Sequence, residues 1–294
     1  MQPEAFFLPG EAATDGQRFC LFYPGQGDAI RGLVLYIHPF AEEMNKARRM
    51  AALQARALAQ AGYSVLLIDL LGCGDSSGDF LDATWQRWLG DVVQGCHWLR
   101  SRTNTHGATS GPAPLWLWGL RAGCLLAVDA ASQLNETCNF LFWQPPSSGK
   151  PLLQQFLRVK VAGDMLGGQA KGVMEGMRQD LASGSPVEIA GYMLSSALAL
   201  GLEQAVLVPP HRNGPTRRLE WFELSTREDA SLNPASVKTI AQWQHSGFET
   251  GSQIVRGPAF WQTSEIEEAP ALIAATLAAI SSLSPTAMLE ATAA

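Results

Sequence analysis

The sequence has few charged residues and no basic excess, which argues against proteins that depend on positive charge. Only 16% of the 294 residues are charged, and 21 Lys and Arg stand against 27 Asp and Glu, a formal net charge of −6. The basic residues are scattered, apart from pairs such as Arg48–Arg49 and Arg217–Arg218. We expect no nucleic-acid partner, because a phosphate backbone is bound by clustered cations.

Cysteine is also scarce, and its spacing predicts neither disulfides nor a metal site. The five cysteines are widely spaced and include no CxxC pair. We therefore expect reduced thiols, a cytoplasmic protein, no metal and no organic cofactor. Long apolar runs are missing, and the first residues lack a basic segment followed by an apolar one, so we expect no transmembrane helix and no signal peptide.

What the sequence does contain is apolar material, 47% of the residues, arranged in alternating strand and helix patterns. This rhythm predicts parallel strand–helix–strand units with right-handed crossovers. Strands are predicted at 6–8, 18–23, 32–37, 64–68, 115–118, 139–143, 219–224 and 253–255. Helices are predicted at 48–61, 84–102, 123–134, 236–245 and 270–282.

The rhythm is interrupted once, by a segment that we call the cap insertion (147–216). Its pattern is helical, with glycine breaks at Gly167–Gly168 and Gly184. The prediction is thus an α/β core formed by 1–146 and 217–284, a helical cap insertion, and a flexible tail at 285–294. No oligomeric state is predicted.

Gly119-Leu120-Arg121-Ala122-Gly123 lies between a predicted strand and a predicted helix. In α/β hydrolases this place holds G-x-S-x-G, where glycines permit a sharp strand-to-helix turn and close packing of the helix. Both glycines are present, and Arg121 stands where the serine would be. Alone, such glycine spacing equally describes an ordinary tight turn.

Two further motifs favour the same fold. The segment 69–76, DLLGCGDS, follows a predicted strand and resembles the glycine loop common in this superfamily. His38-Pro39-Phe40 ends the earlier strand, where one oxyanion amide is normally supplied. Three motifs in the right order on the right elements predict an α/β-hydrolase fold: a mostly parallel sheet flanked by helices, with a helical cap insertion.

The chain also resembles the exosortase A system-associated hydrolase 2 family, across roughly residues 6–283. The resemblance is carried by HPFAEEMNKARRM, DLLGCGDSSGDF, WGLRAG, FWQPPSSGK and FWQTSEIEEAP. It implies a bacterial α/β hydrolase of ester or acyl type, accompanied by genes for PEP-CTERM protein sorting and exopolysaccharide synthesis. It implies no particular substrate.

A Ser-His-Asp triad would need a nucleophile, an acid and a histidine in that order. Arginine stays protonated and has no lone pair to offer, so Arg121 does not serve as a nucleophile. Glu228 and Asp229 follow the strand at 219–224 and are the candidate acids. The segment after the last strand contains no histidine, and His245 lies before that strand, on a predicted helix. Ordinary serine-esterase chemistry is therefore not expected.

Other side chains near the turn are weaker catalytic candidates. We expect Cys124 to face the core, as free cysteines usually do, and Cys73 and Ser77 to lack a base. Ser76 is expected to stabilise its own turn. His38 is open to two interpretations: a strand-end residue hydrogen-bonded to backbone, or a proton-transfer group.

Arg121 itself has two possible roles. A helix N-terminus favours anions, and a guanidinium adds a fork of donors that matches carboxylate or phosphate. Arg121 either pairs with Glu42 or Glu43 and fills a dead site, or frames with a glutamate a small polar pocket beneath the cap insertion.

Two hypotheses for the protein's function follow from these observations. The first is an atypical hydrolase or pseudo-hydrolase with a small anionic, acyl or glycan ligand, and the second is a non-catalytic binding or scaffold protein. The catalytic candidates are Arg121, Glu43, His38, Glu228 and Asp229. The oxyanion and pocket candidates are Phe40, Ala41, Ala122, Glu42, Trp143, Gln144 and Trp261.

Overall fold

The computed structural model describes residues 2–10, 16–27, 29–103, 112–166, 172–210 and 217–282. The strands are β1 (Glu4–Pro9), β2 (Gln17–Tyr23), β3 (Gly32–Ile37), β4 (Tyr63–Ile68), β5 (Leu115–Leu120), β6 (Cys138–Trp143), β7 (Val187–Ile189), β8 (Tyr192–Leu194), β9 (Arg217–Ser225) and β10 (Phe248–Arg256). The helices are α1 (Glu42–Gln60), α2 (Trp85–Thr103), α3 (Ala122–Gln133), α4 (Lys150–Leu166), α5 (Val173–Ala182), α6 (Ser196–Gln204), α7 (Pro234–His245) and α8 (Pro270–Ser281), with a short 3-10 helix at Phe80–Asp82.

Eight strands form the central sheet in the order β1-β2-β4-β3-β5-β6-β9-β10. Six of these strands, β3, β4, β5, β6, β9 and β10, are parallel. Strands β1 and β2 are antiparallel additions at one edge. All six residues of β3 and all six of β5 are buried, as expected for central strands covered on both faces. The mostly parallel sheet predicted from the rhythm of the sequence is confirmed.

The two faces of the sheet belong to separate apolar clusters. Leu33, Leu35 and Ile37 of β3 face a cluster that includes residues of α2, α3 and α7. Val34 and Tyr36 face a second cluster with residues of α1 and α8. This alternation follows the two-residue period of a strand. Because the strands from β4 to β10 in the sheet order are parallel, their carboxyl ends lie along one edge.

Helix α1 and strand β10 differ most from the predicted elements. Helix α1 begins at Glu42 rather than at residue 48, because Ala41, with φ 50°, turns the chain directly into a helix. The first turn is polar and carries Glu42 and Glu43, whose negative charges are stabilised by the helix dipole. Strand β10 is an edge strand of nine largely exposed or half-buried residues, so it lacks the apolar run by which strands are recognised.

The cap insertion contains the predicted helices and also a hairpin that was not predicted. Helices α4, α5 and α6 are present, but β7 and β8 form an antiparallel hairpin between them. Ala190 and Gly191 connect these strands with φ values of 49° and 84°, which is the geometry of a type I′ turn. Strands of three residues are too short to show alternation in a sequence. The tail predicted at 285–294 lies outside the described residues.

A buried ion pair joins the sheet to α2. Nε of Arg18 on β2 lies 2.6 Å from Oδ1 of Asp91 on α2, and the Leu71 amide donates to the other carboxylate oxygen at 2.8 Å. Both side chains are almost fully buried. Burial raises the pKa of Asp91 to about 6, partly offset by Arg18 and by the Leu71 amide.

In the described part of the chain, no helix combines the length and apolarity needed to cross a membrane.

Candidate functional site at the strand-to-helix elbow

Arg121 is the single residue between β5 and α3, at the carboxyl edge of the sheet. Its φ of 55° and ψ of −118° lie in a region that is costly for a side-chain-bearing residue. Its amide donates to the Trp143 carbonyl at 3.0 Å, and its carbonyl accepts from the Cys124 amide at 3.0 Å. The surrounding backbone thus holds Arg121 in the strained conformation that presents its side chain above the sheet.

The two glycines are required by close backbone packing around this turn. A Cβ at Gly119 would collide with the Cys124 backbone, and a Cβ at Gly123 would collide with the Ile37 carbonyl. A residue with a side chain at either position would push helix α3 away from the neighbouring backbone. The two glycines of the sequence motif are therefore explained by this close packing.

We expect Gly123→Ala to lower the free energy of unfolding by about 1–3 kcal/mol, the usual cost of overpacking. Gly90→Ala is the matched control, because Gly90 lies inside α2 with open space where a Cβ would be. It should raise stability by roughly 0.5–1 kcal/mol through helix propensity. Urea unfolding of both variants measures the difference, and equal effects would contradict the close approach.

The Arg121 side chain is held by three groups from three different parts of the chain. Its Nη2 lies 3.1 Å from Oε1 of Glu43 on α1, and Nε lies 3.3 and 3.4 Å from the two carboxylate oxygens. Nη2 also donates to Oε1 of Gln155 on α4 at 2.8 Å. The guanidinium carbon lies 5.9 Å from the centre of the Trp261 ring. Core, cap insertion and the loop after β10 therefore meet at Arg121.

Glu43 is the carboxylate of this cluster, and it is buried. Its side chain is 10% exposed and that of Arg121 is 13% exposed, so water screens the pair poorly. Burial raises the pKa of Glu43, while Arg121 and the Gln262 amide, 3.4 Å away, lower it in part. Glu42 makes no ion pair with Arg121: one of its carboxylate oxygens has no hydrogen-bond partner in the described part of the chain, and burial raises its pKa too.

The space left at the elbow is very small. A cavity of about 20 Å³ lies beside the ion pair, little more than one water molecule needs. Its lining residues are Phe40, Glu42, Glu43, Arg121, Leu152, Gln155 and Phe156. The last three come from α4, so the cap insertion forms one wall of this space.

The loop between β3 and α1 shows a second strained turn, which the sequence did not reveal. Ala41 has φ 50° and ψ −126°, almost the conformation of Arg121. Phe40 is buried in edge-to-face contact with Phe80, Trp88 and Phe156. Alanine is not a residue that signals positive φ, so no sequence pattern marks this turn.

The fold itself is shown by the comparison with known structures. No protein-family model matches the chain. A soluble variant of monoglyceride lipase from Saccharomyces cerevisiae, in complex with a substrate analogue, is similar over 96% of each chain, with a TM-score of 0.61 and 14% identity. Est1E from Butyrivibrio proteoclasticus with bound ferulic acid gives a TM-score of 0.58 at 13% identity over 99% and 100% of the two chains. XC6422 from Xanthomonas campestris, a serine hydrolase without a lid, gives 0.53 at 15% identity over 95% and 94%.

This protein has an α/β-hydrolase fold. At identities this low the likeness concerns the fold alone. One curated protein, human ABHD12B, is 30% identical over 117 residues, which is 40% of this chain. The chain spans about a third of the length of that relative, the match covering 29% of it.

In a hydrolase of this fold the acid follows the strand after the cap, here β9, and the histidine follows the last strand, here β10. Glu228 and Asp229 do follow β9, but they are exposed and pair with Arg256 and Arg227, at 2.7 and 2.9 Å. The structure does not bring them to Arg121. The residues after β10, 257–261, are Gly, Pro, Ala, Phe and Trp. His245 ends α7, where its Nδ1 lies 2.6 Å from the Ala241 carbonyl.

His38 is fully engaged by backbone. Its Nδ1 lies 2.8 Å from the Pro39 carbonyl, and its Nε2 lies 3.3 Å from the Leu70 amide. Since an amide only donates, Nε2 is the acceptor and Nδ1 carries the proton. Burial lowers the pKa of His38, which favours this neutral form. The geometry matches the structural interpretation of His38 rather than the proton-transfer one.

The remaining candidates support the turn or lie apart from it. Trp143 is fully buried, donates from Nε1 to Thr276 Oγ1 at 3.0 Å, and supports Arg121 through its carbonyl. Gln144, with φ 46°, accepts from the Leu224 amide at 2.9 Å and so joins β6 to β9. Ala122 is the first residue of α3 and is buried.

The alternative nucleophiles are not activated. Cys124 and Cys73 are buried, and burial raises the pKa of each thiol. Ser76 donates to the Asp69 carbonyl at 2.6 Å and accepts from the Phe19 amide at 2.8 Å, so it holds the glycine loop against β2. Within the described residues no three His, Cys, Asp or Glu side chains are grouped as a metal site would need.

Gln155 and Gln262 belong to the site but were not predicted from the sequence. Gln155 lies on α4, in the cap insertion, and Gln262 lies in the loop after β10. Neither position belongs to a motif, and glutamine carries no charge that would mark it. Only the FWQ tripeptide at 260–262, part of the family resemblance, pointed to that loop.

Proposed function

We propose that this protein is a pseudo-hydrolase, an α/β-hydrolase-fold protein that binds a ligand without hydrolysing it. The observation that carries the proposal is the buried ion pair between Arg121 and Glu43 at the elbow, 3.1 Å apart. At the position of a hydrolase's nucleophile this protein has a cation, and its guanidinium already contacts the Glu43 carboxylate, the Gln155 amide and the Trp261 ring.

The rest of the site supports the same conclusion. Arg121 offers no lone pair for nucleophilic attack. The candidate bases among the described residues are not placed to act on it, because His38 is bound to backbone and Glu228 and Asp229 lie at the surface. The Glu43 carboxylate is engaged by Arg121 and Gln262. The cavity of about 20 Å³ has no room for an ester beside the turn.

We assign the protein to the exosortase A-associated group of this fold, in the cytoplasm of a bacterium, with a role tied to exopolysaccharide and PEP-CTERM systems. The support is the family resemblance, above all in residues 39–50 and 260–270. These two segments supply Glu43, Trp261 and Gln262 of the elbow cluster. The ligand class implied by the relatives of this fold is a small acyl or aromatic molecule. Both a monoglyceride lipase with a substrate analogue and Est1E with ferulic acid share the fold.

The proposal is tested with p-nitrophenyl esters of several chain lengths and with a fluorophosphonate probe that labels activated serines. We expect neither turnover above the rate without protein nor labelling detectable by mass spectrometry. The informative control is Arg121→Ser, which restores the serine but not a histidine, and which we expect to stay silent as well. Labelling of any serine in the unaltered protein would overturn the proposal, and labelling of Arg121→Ser would show that a base is present.

A further inference from the structure

A second concave site is lined by residues of α1 other than those at the elbow. It is a groove of about 180 Å³ between α1 and the face that β2 and β4 present at the edge of the sheet. Apolar side chains form most of its walls, with Phe19 and Leu21 from β2, Leu67 from β4, and Met44 and Ala52 from α1. Phe19, Leu21, Leu67 and Ala52 are only partly buried, so the groove opens to solvent.

The groove is nine times larger than the elbow cavity and differs from it in its free polar groups. Tyr36 lines it, is 4% exposed, and uses its hydroxyl in none of the hydrogen bonds of the described residues. Burial raises the pKa of Tyr36, so the hydroxyl keeps its proton and is a donor. A ligand in the groove that accepts from this hydroxyl would gain a hydrogen bond.

Beside Tyr36 stands an ion pair that is only partly used. Arg48 Nη2 donates to Asp69 Oδ2 at 2.8 Å, and the same oxygen accepts from the Asp75 amide at 3.1 Å. Nε and Nη1 of Arg48 and Oδ1 of Asp69 have no other partner among the described residues. The pair therefore adds donors and an acceptor next to each other with no net charge. His38, which also lines the groove, has both ring nitrogens bound to backbone.

We propose that this groove binds a small uncharged molecule with an aromatic ring or short acyl chain and a carboxamide head group. The size follows from the volume: an engineered apolar cavity of roughly 150 Å³ holds benzene, and this groove is slightly larger. The head group follows from the side chains, because a carboxamide oxygen accepts from Tyr36 or Arg48 while its N–H₂ donates to Asp69. A carboxylate could accept from Arg48, but it would be repelled by Asp69 and has no N–H to donate to it.

This site is independent of the elbow and deepens the proposed function only by adding a ligand and a place for it. None of its lining residues is Arg121, Glu43 or Gln155. Binding in the groove would hold whether or not the elbow hydrolyses esters. The two proposals are therefore tested, and can fail, separately.

The experiment is a ligand-detected NMR titration of the whole chain with benzamide, benzoate and toluene. We expect benzamide to bind with a dissociation constant on the order of 1 mM, and more tightly than benzoate and toluene. Tyr36→Phe keeps the ring and removes the hydroxyl, and should weaken benzamide binding by roughly 2- to 10-fold, the worth of one net hydrogen bond. It should leave toluene binding unchanged.

Ala52→Leu fills the groove and should abolish benzamide binding. Its matched control is Ala57→Leu, at another partly buried alanine of α1 that does not line the groove and should bind as the unaltered protein does. Circular dichroism melting confirms that both variants are folded. Undiminished binding to Ala52→Leu, equal loss in Ala57→Leu, or benzoate binding as tightly as benzamide would each overturn the proposal, and none of these outcomes bears on esterase activity.

Discussion

Replacing Glu43 with alanine is expected to lower the free energy of unfolding by about 3–5 kcal/mol, the cost of removing one partner from a buried ion pair. Arg121 would keep Gln155 and the Trp261 ring, but both are neutral, and its charge would remain shielded from water. Chemical unfolding in urea, followed by tryptophan fluorescence, measures the change.

The neighbouring residue provides the control for this experiment. Glu42→Ala removes the same side chain one position earlier in α1, where one carboxylate oxygen has no partner among the described residues. We expect a change of less than about 1 kcal/mol, because Glu42 loses only a local backbone hydrogen bond and an interaction with Lys46, and no buried cation is left without its partner. Combining Arg121→Met with Glu43→Leu replaces the pair by apolar groups of similar volume and should recover most of the loss. If Glu43→Ala and Glu42→Ala behaved alike, Glu43 would not be the counter-ion of Arg121.

The second large effect is expected at the ion pair between β2 and α2. Asp91→Ala should also lower the free energy of unfolding by about 3–5 kcal/mol, because it removes the carboxylate facing the buried Arg18 and the acceptor of the Leu71 amide. Asp229→Ala is the contrast: it breaks an ion pair of similar geometry whose side chains are about three-quarters exposed, and should change nothing measurable.

The same carboxyl predicts a pH dependence. In the folded protein the pKa of Asp91 is raised to about 6 by burial, above its ordinary value of 3.8. The folded state therefore binds the proton more tightly than the unfolded state between these two values. The stability that this proton contributes is present in full below pH 3.8 and is lost as the pH rises through 6. Asp91→Asn cannot titrate, so the unaltered protein should gain stability relative to this variant as the pH is lowered from 7 to 4.

The central part of the fold was predictable because its packing requires particular types of residue at particular positions. Fully buried strands such as β3 and β5 need apolar runs, and the close approach of α3 to β3 needs Gly119 and Gly123. The edge strand β10 was predicted only over 253–255, and the hairpin of the cap insertion was not predicted, for the opposite reason. An exposed edge needs no apolar run, and strands of three residues show no period.

The site was predictable only where charge and position coincide. Arg121 at the turn and two glutamates on the next loop along the edge pointed to a pair, and the structure places Arg121 against Glu43. Which of Glu42 and Glu43 faces Arg121 depends on where α1 begins. The positive φ of Ala41 sets that start, and an alanine gives no sign of positive φ in a sequence. The acids after β9 lie at the surface, where they pair with nearby arginines.

The hydrogen bond from Arg121 to Gln155 has a mechanical meaning. It fastens the cap insertion to the core at the very point where a substrate would have to arrive. A serine at this turn would leave its hydroxyl available to a substrate. Arg121 instead connects one helix of the core, through Glu43, with one helix of the cap insertion, through Gln155. A ligand could enter the elbow only after these contacts are broken.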